Sequence, residues 1–498
     1  MQRYRALARF SIAAGLVGSC VAVGFFFYPG AVVSAQQQGR DPSQTLSTNI
    51  PDGFTVASVG DIILNHPATQ SPENKPIAAI LGAADMAMGN FEGAIVDYRR
   101  YKVPQNIISH YWALDGEPGV AKDLKEMGIK MVGRANNHQS DWGIDGARET
   151  AHWLDDAGII HAGDGETRDL AREARFYDTP KGRVGLISLT SSISDPQQIA
   201  INANGKVPAR PGLNPLRVVR FTNVTTEQMD ALRKIHDAYA YGAEAGLNQK
   251  VAASSLSAPV FHFPVQLGPD ELYLFGTFYK IGDKPGFSYK MNPLDEREIL
   301  QSVRDAKQNC DFLIVTIHAH EAPADFLSKI SKEAIDAGAD EWVGTGPHRM
   351  LGVEIYKNRP IFHSLGDLFF EINLAVQPSS QEEFEDSSDP AVTDDAVFAA
   401  NFWNHVGLAP IYQSAIVVSK FDKNQLSEIR IYPIELGWER RDADRGSPRI
   451  ASAEMAQTIL KTQQKYSQEY GTKVEIEGNV GVIRVAPQSN AASQKQQQ

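Results

Sequence analysis

The sequence predicts an α/β fold with a largely parallel sheet covered on both faces. Three observations carry this. Short apolar runs rich in Val, Ile, Phe and Met recur along the chain. Stretches of helical periodicity separate them, and parallel strands need crossovers of that kind. Five of the runs are also followed by a carboxylate, amide or imidazole, as are strands that carry a ligand site beyond their carboxyl ends.

The strands fall in order. Phe54 to Gly60 is stopped by Gly60-Asp61, and Ala84 to Gly89, Lys130 to Gly133 and Val184 to Leu189 follow. Asp311 to Ile317 is the clearest, and Glu341 to Gly344 and Ile361 to Leu365 come after it. Helical spacing marks Gly119 to Met127, Gly146 to Ala157 and Asp295 to Gln308. Asp195 to Lys290 interrupts this rhythm, is rich in aromatic residues from Phe261 to Tyr289, and is expected to form a cap or subdomain. Gln377 to Asp395 is acidic and poor in apolar residues, the composition of a flexible loop. Ser414 to Phe421 and Glu428 to Leu436 flank Asp422-Lys-Asn-Gln425 and read as a hairpin. The expected organisation is one domain over 50–440 with insertion 195–290. A hairpin and helix extension over 441–486 follows, and then a disordered Gln-rich tail, 487–498.

The amino terminus stands apart. Arg3, Arg5 and Arg9 precede an apolar run from Phe10 to Tyr28, and Val33-Ser34-Ala35 follows. Basic, apolar and small segments in that order read as a secretory signal over 1–35. The run approaches the roughly 20 residues that span a bilayer, so an uncleaved membrane anchor is the alternative. Residues 36–49 are a polar linker. The expected location is outside the cytoplasm, periplasmic or extracellular. Removal of the signal takes Cys20 and leaves Cys310, so no intrachain disulfide can form. A formal net charge of -12 argues against non-specific binding to nucleic acid, which a basic surface favours.

The residues beyond the strands carry the chemistry: Asp61, then Asn90-Phe91-Glu92, Asn136-Asn137-His138, His318-Ala-His320-Glu321 and Gly346-Pro347-His348. Taken singly, each has a structural explanation, as turn, cap or loop. Five successive strand ends of this kind point to one site for a divalent or trivalent cation, since Mn, Fe and Zn take such O and N donors.

The strings Val59-Gly-Asp61, Gly89-Asn-Phe-Glu-Gly93, Ala135-Asn-Asn-His138 with Asp141 and Gly143, and Gly344 to His348 resemble the CapA capsule-synthesis family. Ile361-Phe-His-Ser-Leu-Gly-Asp-Leu-Phe369 is similar to that family's "SLGNF" segment. The resemblance covers roughly Phe54 to Phe370, outside the insertion. It implies a calcineurin-like, metallophosphoesterase-type layered core and a role in making, exporting or anchoring poly-γ-glutamate. It further implies Asp61, Glu92, Asn137, His318 and His348 as metal ligands and His138 as general acid. Asp141 would hold the His138 tautomer.

This chain departs from the family in two places. Thr345 and Gly346 stand where histidines are common, and His318-Ala-His-Glu321 replaces His-Trp-Gly-x-Glu. One ion, two ions with His320 as substitute ligand, and a metal-free acid/base pair of Asp61 and His318 all stay open. The resemblance implies a metal-dependent hydrolase acting on poly-γ-glutamate or an envelope peptide or polymer, beside capsule-synthesis membrane proteins. The alternatives are a non-catalytic protein that tethers the polymer and a metal-free acid/base enzyme acting on peptides.

Overall fold

A computed structural model describes residues 50–66, 68, 71–97, 99–100, 114–240, 265–371, 409–440 and 444–485. The expected signal 1–35, linker 36–49, acidic loop 377–395 and tail 487–498 lie outside them, as do Phe261 and Phe263. Among the described residues, no helix is long and apolar enough to cross a membrane.

The strands form two sheets where one was expected. In the first, Phe54–Ile63, Met86–Phe91, Met131–Gly133 and Ile160–Ala162 run parallel. The hairpin Gln413–Asp422 and Gln425–Glu435 extends it antiparallel beyond Phe54–Ile63. In the second, Gly182–Thr190, Phe312–His318, Glu341–Thr345 and Arg359–Phe362 are parallel, with an antiparallel strand at each edge.

Side chains alternate across each strand, and this sorts the core into layers. Phe54, Val56, Met86 and Met88 point inward from the first sheet, against Val184, Leu186, Phe312 and Ile314 of the second. The Phe54 and Phe312 rings lie 5.3 Å apart. Outward, Ala57, Val59 and Val132 pack on Ile77, Leu81 and Leu124 of the helices Lys75–Ala83 and Gly119–Glu126. Outward from the second sheet, Leu313, Val315 and Trp342 pack on Val303 of Pro293–Lys307 and Ile330 of Asp325–Ala337. The order is helices, sheet, sheet, helices. A strand buried between a sheet and helices is as apolar as one between two helical layers, so the sequence pattern fits one sheet or two.

The insertion carries its own four-stranded sheet, in the order Glu271–Leu274, Thr277–Ile281, Val218–Val224, Gly286–Met291. Helix Thr226–Ala240 covers it through Met229, which packs on Leu272 and Leu274. The predicted hairpin turns at Lys423 and Asn424, with φ of 52° and 60°, the left-handed pair a two-residue turn needs. Beyond residue 440, helix Ala453–Gln468 buries Ala456, Ile459 and Leu460 in the inter-sheet core. The hairpin Glu475–Glu477 and Val480–Arg484 then adds two edge strands to the first sheet.

Candidate metal centre

The carboxyl ends of the two sheets meet, and each presents a row of polar residues. In the first sheet Asp61 pairs in register with Asn90 on one side and Asp367 on the other. In the second, His318 pairs with Thr190 and Thr345. Gly60 lets the first row close: a Cβ there would lie 1.7 Å from the Gly366 carbonyl oxygen, and Asp61 N–H donates to that oxygen at 3.0 Å.

Asp61 is fully buried and fixed from two directions. Asn90 Nδ2 donates to its Oδ1 at 2.7 Å, and Gly346 N–H donates to its Oδ2 at 2.8 Å. Gly346 reaches there at φ 110°, where a side chain would be strained; a Cβ would sit 2.7 Å from Ala319 N. Thr345 Oγ1 lies 3.2 Å from His318 Nδ1. The two departures from the family's histidines therefore position Asp61 and His318.

His318 crosses from the second sheet to the first. Its Nδ1 lies 3.3 Å from Asp61 Oδ1, and its Nε2 lies 3.5 Å from Glu92 Oε1 and 3.1 Å from His320 Nε2. His348 Nδ1 lies 2.9 Å from Asp367 Oδ1 and 3.6 Å from Asp61 Oδ2. His348 has φ 53°, uncommon for a residue with a side chain and frequent at functional sites. Three overlapping triads result, each with its ligand atoms within 4.8 Å of one another: Asp61, Glu92, His318; Glu92, His320, His348; and Asp61, His348, Asp367.

His138 faces the same cluster. Its Nδ1–H donates to Asp141 Oδ2 at 2.6 Å, and its Nε2 lies 3.9 Å from Glu92 Oε1. Leu114 N–H also donates to Asp141 Oδ2, at 2.8 Å. Asn136 ties this turn to the second strand, donating to the Phe91 carbonyl at 2.8 Å and accepting from His138 N–H at 3.2 Å. Asn137 is buried in the same turn, and its main-chain carbonyl accepts from Gln198 Nε2 at 2.8 Å.

Charge is crowded here. Burial lifts the Glu92 carboxyl well above its ordinary pKa, against the attraction of His348, and Asp61, Asp367 and Asp141 add to the rise. Burial also pushes Asp367 up to about 7. Burial opposes protonation of His348, but Asp367, Glu92 and Asp61 outweigh it and raise the imidazole to about 10. Burial works against the Asp61 carboxylate too, yet His318, His348 and the Asn90 hydrogen bond leave its pKa lowered. His318 is held low by burial despite Asp61, which favours a neutral imidazole with a lone pair to give.

Both oxygens of Glu92 and Oδ2 of Asp367 are buried and accept no hydrogen bond. Unpaired buried carboxylate oxygens are costly, and a cation among them would satisfy them. Three carboxylates and three imidazoles are a donor set for Mn, Fe or Zn, so the residues fit such an ion. Asp367 and His320 join Asp61, Glu92, His318 and His348 of the predicted set, which also held Asn137. Asp367 opens its strand, Asp367–Phe370, where a search for polar residues after strands passes it by. Its sequence signal is a second Gly-Asp pair, Gly366-Asp367, like Gly60-Asp61.

The chain is similar to several known proteins. The uncharacterised proteins y4sH and y4uA of Sinorhizobium fredii are each 40% identical over 474 residues, covering 91% of this chain and 98% of theirs. The capsule biosynthesis protein CapA of Bacillus anthracis is 24% identical over 333 residues, covering 64% of this chain and 60% of its own. A solved structure described as a novel phosphatase, from Mycoplasma pneumoniae, aligns with a TM-score of 0.37 and 13% identity, covering 78% of this chain and 95% of that one. The family model for the bacterial capsule synthesis protein PGA_cap matches residues 55–371, and the chain belongs to that family.

Proposed function

We propose that the protein is a metal-dependent hydrolase of capsule or envelope polymer, acting outside the cytoplasm on an amide of a glutamyl chain or on a phosphoester. One observation carries this: three buried carboxylates and three imidazoles converge, and Glu92 has both oxygens free of hydrogen bonds. A bound divalent cation supplies Lewis acidity there, polarising a carbonyl or phosphoryl oxygen and making water more acidic. The chain's own groups do the rest. Asp61 and His318 hold fixed positions through Asn90, Gly346 and Thr345. The Asp141 contact leaves His138 Nε2 directed at the cluster, placed to give a proton to the departing group. The family match, with relatives named for capsule biosynthesis, supports polymer as the substrate class.

The test is metal content and turnover together. Wild-type protein offered Mn, Fe and Zn is expected to retain at least one ion and to cleave phosphoesters or γ-glutamyl peptides. Asp61→Ala and His348→Ala should each lose most of the metal and the activity together. Retention of no metal by the wild type sinks the hydrolase reading. Activity that survives chelation but is lost in Asp61→Ala instead favours the acid/base pair of Asp61 and His318, which stand 3.3 Å apart.

A further inference from the structure

A cavity of about 370 Å³ opens beside the centre, between the end of the second sheet and the four-stranded sheet of the insertion. Ser191 and Glu321 form its inner wall. Both belong to loops that shape the metal cluster: Ser191 N–H donates to the His318 carbonyl at 3.1 Å, and Glu321 directly follows His320. Ser192 Oγ accepts from His320 N–H at 2.7 Å. The cavity therefore adjoins the cluster twice, in sequence through Glu321 and by hydrogen bonds through the Ser191-Ser192 loop.

Its outer wall is cationic. Arg217 and Arg220 both line it. Arg217 binds Asp295 through Nε at 2.7 Å and a second guanidinium nitrogen at 2.8 Å. Asp295 also receives Arg168 and Arg172, while Glu298 receives Arg172. Arg217 is thus committed to a cluster of three guanidiniums on Asp295 and Glu298, which leaves Arg220 as the lining cation outside it. Arg220 lies over the Phe287 ring, 4.6 Å from its centroid, which orients the planar group without using its N–H donors. It makes no ion pair with any carboxylate among the described residues.

Among the described residues that line the cavity, Glu321 is the one acid. Ser191 Oγ donates to its Oε2 at 2.8 Å, so its other oxygen can accept from a ligand. A site with only cationic donors would suit any anion, phosphate included. Pairing Arg220 with Glu321 instead suits a unit that carries a carboxylate and an N–H together. Tyr289, the register partner of Arg220, lines the same cavity, and its ring is braced on Phe326 at 5.3 Å.

We propose that this cavity is the subsite for an acidic residue of a peptide-like chain, its carboxylate on Arg220 and its amide N–H on Glu321, next to the bond held at the metal centre. The proposal deepens the polymer reading above and rests on it for that adjacency.

Calorimetric titration of the as-purified full chain with tetraglutamate, α-linked and γ-linked in separate runs, tests it. At least one linkage should bind saturably. Arg220→Ala should weaken that binding at least about tenfold, the loss of a charge-assisted bond, and Arg220→Lys should fall between. Tetraglutamine should bind at least about tenfold more weakly than tetraglutamate, and inorganic phosphate should not displace the peptide. Calorimetry reads binding alone, with neither turnover nor metal content in the readout. The subsite thus stands or falls separately from catalysis. Absence of saturable binding, equal affinity in Arg220→Ala, equal affinity for tetraglutamine, or displacement by phosphate would each overturn the assignment.

Discussion

At the residue scale, His138 and His348 differ in what they do for the site. His138 is held by Asp141 and only approaches Glu92, so it lies beside the triads of candidate ligands. His138→Ala is expected to cut turnover about 10²–10⁴-fold, as loss of a general acid does, with metal content nearly intact. Loss of metal in that variant, measured by elemental analysis, would make His138 a ligand instead. His348 belongs to two of the triads, and its charge couples to folding. Its folded pKa of about 10 lies above the ordinary 6.5, so its contribution is whole below pH 6.5 and is lost as pH rises towards 10. Asp367, raised from 3.8 to about 7, acts in the same direction, because ionising it between those values costs stability. Chelated protein should therefore melt at a lower temperature at pH 9 than at pH 6. Loading with Zn or Mn should shrink the difference, since the ion takes the place of the bound protons. A chelated protein that is more stable at pH 9 would contradict this electrostatic account. Asp61, Glu92, His318 and His348 were legible in the sequence because each follows an apolar run. Asp367 was not, because the chain enters its strand on that residue and only the register with Asp61 brings it in.

At the element scale, the insertion divides into two parts that the sequence does not distinguish. Residues 195–217 are built into the core: Gln198 Nε2 donates to the Asn137 carbonyl, and Leu216 N–H donates to the Thr190 carbonyl. The four-stranded sheet is attached differently. Val218 and Met291 are register partners on adjacent antiparallel strands, so the sheet leaves and rejoins the chain at neighbouring points. Replacing residues 219–290 with a short Gly/Ser linker should preserve the far-ultraviolet circular dichroism of the core and its metal content, and abolish tetraglutamate binding. Unchanged binding in that variant would exclude the four-stranded sheet from recognition. Among the described aromatic residues of this segment, some serve as packing and others face outward. Phe278 lies against Phe221 and Tyr273, with centroids 5.3 and 4.6 Å apart, while Phe287 is 55% exposed and supports Arg220. Composition alone showed the aromatics; which of them face outward depends on strand pairing, a non-local property.

At the scale of the whole molecule, the basic, apolar and small-residue order of the first 35 residues leads us to expect an exported form that begins near Gln36. Amino-terminal sequencing of protein recovered from cells checks this. Intact Met1 in the membrane fraction would indicate an anchor, and intact Met1 on soluble cytoplasmic protein would remove the case for export. The α/β class was legible from the alternation of runs, whereas the partition into two sheets was not. It depends on which apolar face meets which, as between Phe54 and Phe312, and the pattern of either strand alone is compatible with both arrangements. The meeting of the two sheets also has a consequence for how the molecule matures. Asp61 and Glu92 come from one sheet and His318 from the other, and Asp61 and His318 lie 257 positions apart in the chain. Neither half holds a complete triad of Asp61, Glu92 and His318, so an ion can be gripped there only after the halves have docked. Contacts so remote in sequence form late and slowly, and an ion that binds them slows the reverse step. Metal capture would then act as a latch on a finished fold, and the unlatched chain should be the form most exposed to proteolysis.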